Sequence, residues 1–256
     1  MKFLKCFLLV VVFVSCTENE INLDDGKTNL RFNFSHDWDG APIATADLND
    51  IKFTNENGEK LSIERLRYLI SNIVLEKENG QKIILKAHHL ADISKSESLQ
   101  YQSLIKVSKG RYKVSFTFGF SSEDNVEGVY PDLNSVSWNV PKMLGGGYHF
   151  MQFDGKFLDA TNAEANFNYH VIRAADKSDP TNLKLQDTSF TVDLGTLIIS
   201  DEQPIEVAMD VSEWFKNPNL WDLNTLNTVL MPNFNAQIQM SENGKSVFRV
   251  VPQSIP

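Results

Sequence analysis

Ten consecutive residues of this chain alternate almost without error. In Arg111–Phe120, Tyr112, Val114, Phe116, Phe118 and Phe120 fall on one face; Arg111, Lys113, Ser115, Thr117 and Gly119 fall on the other. Successive side chains of an extended strand point to opposite sides, so the pattern is that of a half-buried β-strand. It recurs at Leu30, Phe32, Phe34 and His36, at Phe190, Val192 and Leu194, at Ile205, Val207 and Met209, and at Phe248 and Val250. Turn chemistry lies between such runs: Asn57-Gly58, Asn79-Gly80 and Asn243-Gly244 are hairpin signals, with Lys109-Gly110 and Asp154-Gly155 weaker ones. The expected fold is all-β, an antiparallel β-sandwich-like single domain over residues 29–256. Ile63–Leu75 is ambiguous, since Ile63, Leu66 and Ile70 also suit a helix. Val211–Leu230, rich in Trp and Leu and interrupted by Pro218, reads as a short helical excursion near 211–230 that covers an edge of the sheets.

Residues 1–15 read as a secretion signal, with Lys2 and Lys5 ahead of an apolar run too short to span a bilayer. Phe13-Val14-Ser15-Cys16 resembles a bacterial lipobox, so Cys16 is the expected lipidation site and residues 16–28 an acidic tether. That places the protein in a bacterial cell envelope, held to the outer membrane by its lipid. Cys6 would leave with the signal and Cys16 would carry lipid. A metal site would then use His, Met, carboxylate or backbone oxygen, never thiolate. The formal charge of −9 becomes −11 without Lys2 and Lys5, which leaves no electrostatic footprint for nucleic acid.

Enzyme templates are missing: there is no GxSxG elbow, P-loop, GxGxxG after a strand, or CxxC. No catalytic activity is expected. Gly145-Gly146-Gly147 precedes an aromatic strand rather than a helix, so it reads as tight backbone geometry and not as a phosphate cradle. Asp124, Glu127 and Asp132 form an acidic loop, either a Ca²⁺ site or a solvated surface. His88 and His89 are adjacent on one strand, so they face opposite sides and cannot chelate one ion together. His36 ends an apolar face. His149 is expected on the face of Met151 and Phe153, opposite Tyr148 and Phe150. His149 and His170 could converge if their strands are neighbours, and neutral imidazole suits Cu, Zn, Ni and Fe.

Four stretches carry a resemblance: SIERLRYLISNIVLEKENG, GRYKVSFTFGF, SWNVPKMLGGGYHFMQFDGKF and FNYHV. Together they resemble the MbnP-like family, secreted or lipid-anchored relatives of the copper-binding partner protein of methanobactin operons. The resemblance runs from about Leu30 to Val250. It implies a β-sandwich-like domain that binds copper through histidines. It also implies a Trp oxidised to kynurenine by a di-heme, peroxidase-like partner protein. Carried over by position, His36, His149 and His170 are the implied metal ligands and Trp138 the implied modified residue. Met151 and Met231 are conceivable soft donors that also suit core packing. The Trp loop reads Ser135-Val136-Ser137-Trp138-Asn139-Val140-Pro141, where methanobactin-associated members carry Met-x-Trp-x-Trp.

Two functions stand side by side on this reading. One is a non-catalytic copper-binding lipoprotein. The other is a metal-free module that binds a glycan or partner protein through exposed Trp138, Tyr148, Trp214 or Trp221.

Overall fold

The alternating segments are strands. The computed structural model describes residues 25–252 except Pro180 and Glu202; the signal, Cys16 and most of the tether lie outside the described residues. In chain order the strands are β1 (Lys27–Trp38), β2 (Ala41–Pro42), β3 (Phe53–Thr54), β4 (Lys60–Leu61), β5 (Arg65–Glu76), β6 (Lys82–Asp92), β7 (Gln100–Ser108) and β8 (Gly110–Phe118). They continue with β9 (Met151–Leu158), β10 (Glu164–Val171), β11 (Ala174–Asp176), β12 (Lys184–Gln186), β13 (Phe190–Ile199), β14 (Ile205–Asp210) and β15 (Phe248–Val250). Among the described residues two α-helices join them, α1 (Pro131–Ser135) and α2 (Phe234–Gly244).

One sheet runs β15-β14-β1-β2, with β7 also on β1; the larger runs β13-β8-β5-β9-β4-β3, with β6 on β5 and β10 on β9. The aromatic faces of the two sheets meet. Phe34 of β1 stands edge-on to Tyr68 of β5 at 6.1 Å and to Phe116 of β8 at 6.4 Å. Phe248 of β15 meets Phe116 at 5.4 Å and Tyr68 at 5.7 Å. The result is the expected β-sandwich, and burial of these rings is its main source of stability. Strand pairing is antiparallel throughout the described residues except between β1 and β14, which are parallel.

The feature that positions the site is a fork. One edge of β5 is paired to β6 along its length. The other edge is shared: Arg65–Tyr68 pair with β9, and Ile70–Glu76 pair with β8. At the changeover Leu69 N–H donates to the Phe150 carbonyl, and the Leu69 carbonyl accepts from Gly119 N–H. The long connection between β8 and β9 leaves and re-enters the sheet at this fork, carrying α1, Trp138 and the triple glycine.

Several local expectations change. Of the ambiguous stretch Ile63–Leu75, everything from Arg65 on is strand, because the sheet offers both edges of β5 a partner. Residues 27 and 28, expected in the tether, open β1. The 211–230 segment holds only a 3₁₀ turn, Val211–Phe215, followed by turns around a cis Asn217–Pro218 bond. The longer helix, α2, follows that segment, and Asn243-Gly244 ends it instead of making a hairpin turn; Asn233 caps its start by accepting from Ala236 N–H at 3.1 Å. Lys109-Gly110 links strands of different sheets. Asp154-Gly155 lies inside β9, where Gly155 is required by close approach of Ser62 and Phe167.

Candidate functional site

Residues directly opposite in an antiparallel pair share a face of the sheet. The register sets Arg65 against Asp154, Arg67 against Gln152, Asn168 against Asp154 and His170 against Gln152. All six therefore line the outer face, while Leu66, Tyr68, Met151 and Phe153 point into the core. Arg65 Nε and Asn168 Nδ2 donate to Asp154, the latter at 2.6 Å, and Arg67 donates to Gln152. His170 Nε2 lies 2.8 Å from Asp154 Oδ1. Burial pushes the Asp154 carboxyl up, but the hydrogen bonds from His170, Arg65 and Asn168 outweigh it and hold it well below the usual carboxylate range. An ionised carboxylate only accepts, so His170 carries its proton on Nε2. In neutral His170 the lone pair is then on Nδ1.

The connection from the fork lays a second histidine on this face. Ser137 takes a left-handed φ of 57° and turns the chain into Trp138. Asn139 bridges Tyr148, and Val140 N–H donates to the Gly147 carbonyl at 2.9 Å, so residues 138–149 form a narrow two-stranded flap. The triple glycine is backbone geometry, as expected. All three glycines have positive φ, and a Cβ on Gly147 would stand 2.4 Å from Asn125 Oδ1. His149 donates twice to the Trp138 carbonyl, from its backbone N–H and from ring Nδ1, each at 2.9 Å. Because that acceptor fixes the proton on Nδ1, His149 Nε2 holds a lone pair. That nitrogen is buried and has no hydrogen-bond partner. Burial is the chief cause that lowers the His149 pKa to about 4; the Trp138 carbonyl opposes it, and His170, Arg65 and Arg67 add to the depression.

The rings of His149 and His170 stand edge to face with centroids 5.4 Å apart. Trp138 is fully buried beside them, 5.8 Å from His149, with the Arg67 guanidinium 5.2 Å from the centre of its ring. Trp138 Nε1 and Arg67 Nε also lack partners, so three orphaned polar atoms belong to this small region. Of the three, Trp138 Nε1 and Arg67 Nε are N–H donors, and only His149 Nε2 offers a lone pair to a cation. Two imidazole lone pairs, Nε2 of His149 and Nδ1 of His170, fit a borderline or soft transition ion. Among the described residues no group of three His, Cys, Asp or Glu gathers tightly enough to hold a metal.

His36 is not brought to this pair. It lies on the core face, edge-on to Tyr68 at 5.7 Å, and Tyr68 points away from the outer face. His149 does not share the face of Met151, because β9 becomes regular only at Met151 and the flap turns His149 towards His170. Met151 is buried in the core, and Met231 packs with Val140, Leu144 and Ile172. His88 and His89 do face opposite sides: His88 meets Asp132 and Tyr130, and His89 meets Phe34 and the Ser98 carbonyl. The acidic loop is dispersed, with Asp124 held by Asn72 and Ser121 and Asp132 by His88. Trp138, Tyr148, Trp214 and Trp221, expected as surface contacts for a glycan or a partner, are all fully buried because they fill the core and the fork. Sequence reasoning missed Arg65, Arg67, Gln152 and Asp154. Their alternation with apolar residues marks a solvent-side face, but nothing in the sequence says which strands adjoin.

The comparisons agree with this architecture. The family model described as MbnP matches residues 27–232. Among solved structures, MbnP from Methylosinus trichosporium is similar in fold, with a TM-score of 0.52 at 12% identity over 76% of this chain and 79% of that one. No curated protein matches the chain. A match that runs from the first residue of β1 to the turn before α2 takes in the flap and every strand of the described residues except β15, and on that ground the chain belongs to the MbnP family.

Proposed function

We propose that this protein is a non-catalytic copper-binding protein of the bacterial cell envelope, anchored to the outer membrane through lipid on Cys16. His149 Nε2 and His170 Nδ1 supply the protein's nitrogen donors. The carrying observation is the buried, unpartnered Nε2 of His149 beside the His170 ring. Among the described residues no thiolate lines the outer face, so imidazole chemistry dominates what the site can hold. The Asp154 carboxylate orients His170, and the Trp138 carbonyl orients His149, the outer hydrogen bonds that metal-binding imidazoles need. Burial keeps His149 neutral, so its lone pair is available near neutral pH. A di-heme, peroxidase-like partner acting on Trp138 belongs to the same reading. The Arg67 cation above that ring opposes loss of an electron, so the histidines and not the Trp carry the proposal.

The test is copper binding by the purified chain. His149→Ala and His170→Ala should each lower affinity at least roughly 10- to 100-fold, the cost of losing even an outer partner of a metal ligand. His36→Ala should leave copper affinity unchanged. Wild-type affinity in the His149→Ala/His170→Ala double variant would reject the site.

A further inference from the structure

The end of β10 has one edge in the sheet and one edge outside it. On the sheet side the Val171 carbonyl accepts from Phe150 N–H at 2.7 Å. Along a strand, the C=O of one residue and the N–H of the residue two further on face the same way. The His170 carbonyl and the Ile172 N–H therefore face outward, and among the described residues no strand adjoins them there. The Gln237 side chain of α2 meets both. Its Nε2 donates to the His170 carbonyl at 2.8 Å, and its Oε1 accepts from Ile172 N–H at 2.8 Å. Nε2 also donates to the Leu230 carbonyl at 3.1 Å, and the side chain is wholly buried. A carboxamide has the donor and acceptor of a peptide unit, so this one side chain stands in for the missing strand.

We propose that Gln237 is a positioning residue for His170. It holds the backbone on both sides of Val171 and so sets the direction in which the His170 ring leaves the sheet. The next peptide is held as well: Thr188 Oγ1 donates to the Ile172 carbonyl at 2.5 Å, and Ser241 of α2 donates to the Thr188 carbonyl at 2.8 Å. The helix that supplies Gln237 lies beyond the residues matched to the family. The effect on copper rests on the reading above; the effect on His170 does not.

The test uses Gln237→Leu, which removes both bonds, and Gln237→Glu, which keeps the shape but presents no donor to the His170 carbonyl when ionised. In copper-free protein the His170 imidazole NMR signals should move in both variants. Copper affinity should fall roughly 10- to 100-fold, as for other groups that orient a metal ligand. In the wild type the Ile172 amide should be protected from hydrogen exchange, which tests the clamp even where a variant fails to fold. Unshifted His170 signals with unchanged copper affinity, or a rapidly exchanging Ile172 amide, would overturn the inference. If wild-type protein binds no copper, the functional reading fails, and the His170 signals still decide the role of Gln237.

Discussion

Gly155→Ala should destabilise this protein by about 3 kcal/mol, the upper end of what overpacking a tight interior costs. Gly155 lies in the middle of β9, opposite Phe167 of β10. A Cβ there would stand 2.1 Å from the Ser62 carbonyl oxygen and 2.7 Å from the Phe167 ring. Ser62 cannot retreat easily. Its N–H donates to the Lys156 carbonyl at 2.8 Å, its Oγ accepts from Lys156 N–H at 2.9 Å, and Glu64 N–H donates to the Asp154 carbonyl at 2.9 Å. The contact is with backbone, so no flexible side chain can absorb it. Urea denaturation at neutral pH checks the expectation, and a loss under about 1 kcal/mol would contradict it. Because Asp154 precedes Gly155, any shift of β9 that relieves the clash also disturbs the carboxylate that orients His170.

Stability should fall steeply as pH drops from about 6.5 to about 4. Burial lowers the His36 pKa to about 4, with the Asp37 carboxylate opposing it, and its Nε2 has no partner. His149 is lowered to about 4 as well. An unfolded histidine titrates near 6.5, so within this window the unfolded chain binds protons that the folded chain refuses. The stabilisation is complete above pH 6.5 and is lost on the way down to pH 4. Each histidine contributes about 3 kcal/mol to that loss, a large share of the stability of an ordinary domain. His89, also lowered chiefly by burial, acts in the same direction. The lowered carboxylates, Asp154 among them, lose their contribution only at more acidic pH. A His36→Leu variant, compared with its own stability at pH 7, should lose about 3 kcal/mol less by pH 4. A wild-type stability that stays level between pH 7 and pH 4.5 would show that these histidines are not held neutral by the fold.

The strands were legible where one face is buried and the other wet. β1 and β8 read directly from alternation, since Phe32, Phe34, Phe116 and Phe118 could only share a face if the chain were extended. β5 was ambiguous because it is the strand at the fork, with residues buried on both sides and little alternation left to see. α2 was missed for a related reason. Its inward residues include Gln237 and Asn243, whose amides are buried because they bond backbone, so polarity does not mark the outer face. Asp154-Gly155 resembles a turn because the sequence records the glycine but not the Ser62 carbonyl that demands it.

The candidate site divides in the same way. The sequence alone determined a β-sandwich, a family resemblance, and a short stock of candidate donors, His36, His149 and His170, with Trp138 as the candidate modified residue. Local alternation and turn chemistry suffice for that, because they depend only on near neighbours in the chain. Only the tertiary structure decided that His149 and His170 meet while His36 faces Tyr68 in the core. It alone assigned the free nitrogens, through Asp154 and the Trp138 carbonyl, and brought Gln237 to the strand edge behind His170. Those choices depend on which strand edges pair and where a flap crosses the sheet, and such long-range registers leave no trace in the spacing of residues along one strand.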